Sequence, residues 1–480
     1  MSEKLVRASG KSDILASGNI LVICTVFLPA DNTLFVTCSG FDQTRRPSAA
    51  RLGCGNRAGS SGRKAEQALN MKRGRLADEF LGVVSKVISA VEASPAKSHQ
   101  HEFNGSLALR ALFGDDDRLD FQTRFIWLNE DEQPVTVDGS LSWYDSRRAH
   151  PTRTEYRLYY RDNEVTLLMS PGDLFYLALR PDGSALVIIT AAEGTVRNQL
   201  DWLFGIDGSA SKKGFVFTEV GETNNPELGF AARYILDELG LEQAEPEADY
   251  LDGLIDQFGL VFPKTQVFST LARQSLPEVS PLDDPDLALI SWMEREEQLF
   301  RRLERRIVAS RIAGGFMQED GPDVEGFLGF SLSVQNRRKA RAGMALENHL
   351  EAIFTACSIS HERGAKTENR NRPDFLFPGT TQYADPQFPA SRLTMLGAKS
   401  TLKDRWRQVL SEAVRIPGKH LLTLEPGISE NQTGEMQAKD LQLVLPQSLH
   451  TTFRPAQQQW LMNLREFIDL VRERQEEALF

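Results

Sequence analysis

Thiols, long apolar runs and positive charge are all scarce in this chain. Among its 480 residues there are four cysteines, Cys24, Cys38, Cys54 and Cys357. None stands in a CxxC pair or another metal-like spacing, which argues against a thiolate metal site. Few and scattered thiols fit a reducing cytoplasm, the expected location. No apolar run reaches the roughly 20 residues that span a bilayer, so no membrane partner is expected. The run Ile20–Leu28 follows Lys4, Arg7 and Lys11 and faintly imitates a secretory signal, but no convincing small-residue cleavage site follows. It reads as a strand or an irregular extension. Bases are outnumbered, 55 to 66, for a formal net charge of −11. That balance does not suggest a nucleic-acid partner, yet it leaves room for a basic groove on an acidic body. Gly221–Leu260 holds ten acids and one base, whereas Ser331–Arg341 holds four bases and no acid.

What is present is organised in blocks, and the length calls for two or three domains. Residues 1–70, rich in Gly, Ser, Arg and Ala after about position 39, are expected to form a poorly ordered extension. Met71 is a candidate start of the chain. Helical periodicity begins near it, with Leu76, Phe80, Val83, Val84, Val87 and Ile88 in one stripe. Between Phe103 and Gly214 the pattern becomes short alternating segments: Phe121–Leu128, Leu141–Tyr144, Tyr156–Tyr160, Val165–Met169, Leu174–Leu179 and Ala185–Thr190. Turn formers punctuate them, so residues 71–218 read as a mostly-β domain, a small barrel or sandwich. Residues 219–250 read as an acidic connector. In 251–480, helices at Asp286–Ala313, Val334–Phe354, Leu402–Ile416 and Pro455–Arg474 alternate with strands near Phe375–Phe377, Leu393–Ala398, His420–Leu424 and Leu441–Leu445. That alternation predicts an α/β domain with a mixed central sheet.

The chemistry concentrates in this last block. Asp374 precedes an apolar strand, and Lys399 ends another 25 residues later. On adjacent strands the two would share one sheet edge. Phosphodiester hydrolysis needs carboxylates for Mg²⁺ and a cation that orients or deprotonates water. The nuclease pattern PD-(D/E)XK places a second acid two residues before the lysine, where this chain has Gly397. Glu412, on the expected following helix, is a substitute, and Glu347 is a further acid beside Leu346 and Leu350. Each signal also has a bland reading: Pro-Asp as a turn, Lys399 and Glu412 as solvated charges.

Ser333–Gly343, Leu346-Glu347, Arg372–Pro378 and the run Lys399-Ser400-Thr401-Leu402-Lys403-Asp404-Arg405-Trp406-Arg407-Gln408, continuing through Glu412-Ala413 to Leu445–His450, closely resemble the EcoRII-like type II (type IIE) restriction endonucleases. The resemblance covers essentially the whole C-terminal half. It implies a restriction-endonuclease-like fold in which Asp374 and Glu412 bind Mg²⁺, Lys399 positions or activates the attacking water, and Glu347 completes the acidic cluster. It also implies that Lys403, Asp404 and Arg405 read C·G pairs, since Arg and Lys donate to guanine and Asp accepts from cytosine. A fainter resemblance links Tyr144-Asp145-Ser146-Arg147 and Thr152–Arg157 to the family's effector-DNA-binding pseudobarrel. Tyr144, Ser146, Arg147, Arg153, Glu155 and Arg157 are its candidate DNA contacts, and Pro151 and Tyr156 replace two family lysines. Arg337, Arg338 and Arg341, beside Lys339, read either as a solvated helix face or as a sequence-blind phosphate clamp.

The expectation is a homodimeric, Mg²⁺-dependent nuclease that cuts both strands of double-stranded DNA at a CCWGG-like site with CC and GG ends. By resemblance, a second site bound through the N-terminal domain relieves inhibition, and a cognate DNA methyltransferase is a genetic rather than physical partner. The competing classes are a modification-dependent nuclease and a DNA-binding regulator with an inactive nuclease fold.

Overall fold

The computed structural model describes residues 22–27, 35–40, 76–93, 101–130, 134–206, 214–220, 229–241, 248–318, 321–402 and 405–476. Residues 1–66 and 67–480 form separate units. In the first, β1 (Val22–Phe27) and β2 (Phe35–Gly40) pair as an antiparallel hairpin. The remainder of the expected extension lies outside the described residues.

In the second unit, β3 (Gly82–Val87), β4 (Glu102–Asn104), β5 (Arg118–Trp127), β6 (Val135–Asp145), β7 (Tyr156–Tyr160), β8 (Leu174–Leu179), β9 (Ala185–Thr190) and β10 (Val216–Glu219) form one sheet. Their order is β10-β3-β8-β9-β5-β6-β7-β4. All pairings are antiparallel except β5–β9. Strands β8 and β9 are apolar and buried throughout, because both faces are covered. Tyr176, Ala178, Leu186 and Ile188 face a core with the helices Thr195–Leu203 and Phe230–Glu238. Phe175, Leu177, Val187 and Ile189 face a second core with Phe103, Phe125, Trp143 and Leu158. The sheet curls, so that Phe103 on β4 meets Phe215, beside β10, with ring centroids 5.6 Å apart.

Several local expectations give way here. The stripe from Leu76 to Ile88 is a single helical turn, Leu76–Glu79, followed by β3. Val83 and Val84 enter opposite cores, the period-2 alternation that stiff β-branched side chains favour. The segment Val165–Met169 is a 3₁₀ turn over Thr166–Leu168, set by Asn163 Oδ1 accepting from the amides of Val165 and Thr166. Within the expected connector, Phe230–Glu238 is a helix that buries Ala231, Ala232, Ile235 and Leu236.

Farther along, Asp284 caps the helix Pro285–Ala313 by accepting from Leu287 N, with Pro285 at the first helical position. A small hairpin, β11 (Met317–Gln318) with β12 (Gly321–Pro322), leads into the helix Val324–Ala356, which starts ten residues before the sequence pattern suggests. A mixed five-stranded sheet follows in chain order: β13 (Glu362–Arg363), β14 (Phe375–Phe377), β15 (Thr394–Lys399), β16 (Lys419–Thr423) and β17 (Leu441–Val444). Its first three strands are antiparallel neighbours, and β15–β16 and β16–β17 are parallel. Phe354 of the long helix packs edge-on against Phe375 and Phe377, fixing that helix over the sheet. The expected closing helix is split into Pro455–Gln458 and Leu464–Glu476. Between them Met462 joins the sheet edge, its amide donating to Leu443 O and its carbonyl accepting from Leu445 N. Among the described residues no helix is long and apolar enough to cross a membrane.

Candidate active site

Strand register creates the first half of the site. Phe375 lies opposite Leu396 across β14–β15, so Asp374 falls beside Gly397, and Lys399 ends β15 at the same edge. Asp374 Oδ2 accepts from Lys399 Nζ and from Ala398 N, each at 2.7 Å. The sequence expectation that these residues share an edge is met with a direct ion pair.

Glu412 arrives differently. The expected helix 402–416 is one turn, Trp406–Val409, followed by tight turns in which Glu412 N donates to Val409 O at 3.1 Å and Ile416 N to Ala413 O at 2.9 Å. Ala413 has φ +47°, a left-handed backbone that no helix continues through. The same segment explains Gly397. A Cβ there would stand 2.9 Å from Val409 Cγ2 and 3.3 Å from its Cγ1. The position of the usual second acid is thus filled by Val409, and three residues later the chain supplies Glu412. Burial pushes the Glu412 carboxyl up to about 7; Lys399 opposes this and Asp374 adds to it, while Lys419 pulls down. Its Oε2 is buried without a hydrogen-bond partner, a costly arrangement unless a proton or cation answers it.

Glu347 borders this pair from the long helix. Arg363 grips it, Nε at 3.0 Å and Nη2 at 2.9 Å, and Arg363 Nη1 also reaches Asn348 Oδ1 at 2.8 Å and Glu351 Oε2 at 3.0 Å. Burial raises the Glu347 carboxyl, Asp374 raises it further, and Arg363 and Lys399 oppose both. Arg363 was not visible from sequence; it lies in no motif and meets Glu347 only because β13 runs alongside β14 under the helix. Among the described residues no three His, Cys, Asp or Glu side chains converge closely enough to hold a metal ion. The carboxylates that could hold one are Asp374, paired with Lys399, and Glu412, whose Oε2 has no partner. Such hard oxygen donors suit Mg²⁺, which typically takes one or two carboxylates and completes its shell with water and phosphate oxygens. The unpartnered Glu412 Oε2 is the observation that matches it.

Of the expected base readers, Lys403 and Asp404 lie outside the described residues. Arg405 is exposed, and its Nη2 donates to Thr401 O at 2.9 Å and to Thr401 Oγ1. Just upstream, Leu402 N donates to Glu425 Oε2 at 2.5 Å. In the basic run, Arg337 is exposed over the Phe262 ring, 4.3 Å from its centroid, and Arg338 pairs with Glu304 at 2.6 Å. Arg341 is a correction. It is 6% exposed, ion-paired with Glu296 and Glu297, and 4.1 Å over the Phe300 ring. Arg341 shares a helix face with Arg338 three residues earlier, and that face packs on the acids of the helix Pro285–Ala313, where Arg341 is the more deeply buried of the two.

The six candidates of the other domain gather on the β6–β7 hairpin, where Tyr144 lies opposite Arg157. Arg147 Nε pairs with Glu155 Oε2 at 2.5 Å, and Arg157 pairs with Glu155 from the other side. Tyr144 donates to Glu102 Oε2 at 3.2 Å, and Ser146 Oγ donates to Glu155 O at 2.8 Å. Arg153 is exposed at the connection. The helix Thr195–Leu203 of this domain contacts the loops after β16 and β17: Gln199 Nε2 donates to Pro426 O at 2.9 Å, Ser429 N to Thr195 Oγ1 at 3.1 Å, and Arg454 Nη2 to Asn198 Oδ1 at 3.1 Å.

Comparison with known proteins adds a family. A model described as "EcoRII C terminal" matches residues 300–468. The type II restriction enzyme EcoRII of Escherichia coli is 32% identical over 391 residues, 81% of this chain and 86% of that protein. Among solved structures, metal-depleted Ecl18kI in complex with uncleaved, modified DNA aligns with a TM-score of 0.38 and 17% identity, over 48% of this chain and 84% of that one. A PspGI–substrate DNA complex aligns with a TM-score of 0.38 and 13% identity, over 45% and 94%.

Proposed function

Since this chain belongs to the EcoRII family of type II restriction enzymes, we propose that it is a Mg²⁺-dependent type II endonuclease cutting both strands of double-stranded DNA at a short symmetric site with CC and GG ends. The observation that carries the reading is the Lys399–Asp374 pair at 2.7 Å with the unpartnered Glu412 carboxylate in its field. Asp374 and Glu412 would hold the ion. Bound there, Mg²⁺ supplies Lewis-acid polarisation of the scissile phosphate. Lys399, fixed by Asp374 at the strand end, orients the attacking water, and Glu347 adds negative field at the rim. Lys403, Asp404 and Arg405 follow Lys399 closely enough to read C·G pairs beside the cut. Arg337 and Arg338 are the remaining phosphate contacts of the basic run, without Arg341. A homodimer supplies one nuclease domain to each strand of a palindrome.

In the same reading the curled eight-stranded domain is a pseudobarrel that binds a second site through Tyr144, Ser146, Arg147, Arg153, Glu155 and Arg157. Its helix Thr195–Leu203, seated on the loops after β16 and β17, is the contact through which it restrains the nuclease. A cytoplasmic location and a methyltransferase that protects the host site complete the assignment. The test is digestion of plasmids carrying none, one or two CCWGG sites, with and without Mg²⁺, followed by sequencing of the ends. Metal-dependent ends at CC/GG sites, and faster cutting of the two-site plasmid, are expected. No cutting of any plasmid in Mg²⁺ would favour a regulator with an inactive nuclease fold, and cutting of methylated plasmid alone would favour a modification-dependent nuclease.

A further inference from the structure

The turn that delivers Glu412 is tied to its own helix only on its near side, through Ser411 N to Gln408 O at 3.2 Å and Glu412 N to Val409 O at 3.1 Å. Trp406–Val409 ends before it, Val414 is 63% exposed, and Ala413 sits at φ +47°, a left-handed conformation unfavourable for an L-residue. Such a backbone persists only if its surroundings impose it. The surroundings come from a loop far away in sequence. Asn371 Nδ2 donates to Ser411 O at 2.7 Å, on the near side of Glu412. On the far side, Val414 N donates to Glu368 Oε2 at 3.3 Å and Arg415 N donates to Tyr383 Oη at 3.3 Å. Tyr383 is buried and donates its one hydroxyl proton to Glu368, 2.6 Å to Oε2 and 2.8 Å to Oε1, which leaves its lone pairs for Arg415 N. Arg415 in turn donates to the carbonyls of Asp385 and Phe388, each at 2.9 Å. Below the turn, buried Lys419 donates to Ile416 O at 2.7 Å. Asn371, Glu368 and Tyr383 thus hold the residues before and after Glu412.

We infer that Glu368, with Tyr383 and Asn371, is a positioning residue for metal binding: it fixes the 411–415 backbone so that the buried Glu412 carboxylate stays in the field of Asp374 and Lys399. The assignment rests on the reading of Glu412 as a metal ligand. Partners that orient a ligand typically carry 10- to 100-fold in metal affinity.

The test is equilibrium binding of Mn²⁺ to the full-length, DNA-free chain, a carboxylate-seeking stand-in for Mg²⁺, with metal-free thermal unfolding and metal-free DNA binding measured alongside. Glu368→Ala is expected to weaken Mn²⁺ about tenfold or more, and Tyr383→Phe, which removes only the hydroxyl, by a smaller but measurable factor. Glu368→Gln, which keeps one acceptor oxygen, is expected to recover part of the loss. DNA binding without metal should be unchanged in all three. Wild-type Mn²⁺ affinity in Glu368→Ala and Tyr383→Phe, with Glu412→Gln impaired, overturns the inference alone. Wild-type affinity in Glu412→Gln overturns the ligand assignment and this inference with it. Should Glu368→Ala fail to fold, Tyr383→Phe decides the matter by the same criterion.

Discussion

The two ends of this chain's second unit treat charge in opposite ways. On the β6–β7 hairpin Glu155 stands between Arg147 and Arg157, and Glu102 takes the Tyr144 hydroxyl; the charges are balanced among neighbours. At the end of the five-stranded sheet Asp374 is answered by Lys399 and Glu347 by Arg363, but Glu412 Oε2 has no donor. A balanced surface binds an anion only by exchanging partners. An unbalanced buried carboxylate calls for a cation. Under the proposed function the first arrangement is the DNA-recognising one and the second the metal-holding one.

The most severe way to break this contrast is to remove the cation that Asp374 already has. Lys399→Ala should reduce cleavage by about 10²–10⁴-fold, the usual worth of a positioned proton-transfer group. Specific DNA binding in a gel-shift assay should persist, because the hairpin and the basic helix are untouched. Loss of binding along with cutting would mean that Lys399 mainly holds the strand ends together.

A second test attacks the space that makes the arrangement possible. Gly397→Ala sets a methyl group 2.9 Å from Val409 Cγ2, and overpacking of this kind costs about 1–3 kcal/mol. Urea unfolding should show that loss. Cleavage should fall beyond what stability explains, because Val409 O accepts from Glu412 N, so a backbone shift of Val409 moves the turn that carries Glu412. Retained cleavage with lowered stability would show that Glu412 tolerates such movement.

The contrast also marks what could be read from residues alone. Asp374 and Lys399 were legible because each ends an apolar strand, and strand ends meet by simple register. The mixed sheet followed from alternating helix and strand patterns; β8 and β9 were legible as strands among short alternating segments, but their burial on both faces was not. Glu412 was legible as a residue but not as a geometry: Leu402, Trp406, Val409, Leu410 and Ala413 have helical spacing, yet the chain turns at Ala413 under tertiary hydrogen bonds that no local pattern encodes. Arg341 failed for a related reason. Basic composition flagged it, and the partners that bury it, Glu296, Glu297 and Phe300, sit on another helix. Val83 and Val84 fit both a helical stripe and a two-sided strand, and only the two cores chose between them. Arg363, Glu368 and Tyr383 carry no motif; they act through contacts of long sequence separation.

A gentler perturbation is pH. Burial, with Asp374 nearby, raises Glu412 to about 7 from 4.5, so the folded metal-free chain holds a proton there that the unfolded chain releases. The sign follows: this group's stabilising share is complete below about 4.5 and is lost as pH rises through about 7. A divalent ion must displace that proton. Apparent Mg²⁺ affinity should therefore fall about tenfold per pH unit below 7 and level off above it, measured by titrating the DNA-free chain. A pH-independent affinity would remove Glu412 from the ligand set.

The smallest effect belongs to the balanced hairpin and tests it from the other side. Arg153 is exposed at the connection, so a phosphate reaches it without breaking an ion pair. Arg157 must first leave Glu155. Arg153→Ala should therefore lower the slope of log affinity against log salt by about one, with a uniform loss across sequences. Glu155→Gln, which removes the carboxylate shared by Arg147 and Arg157, should strengthen non-specific binding and steepen the same slope, because Arg147 becomes available to phosphate while Arg157 keeps Glu102 and Asn104. If Glu155→Gln instead weakens binding only to the preferred sequence, Glu155 is itself a reader, accepting from a cytosine amino group, and the balance on the hairpin is the free-state form of a specific contact.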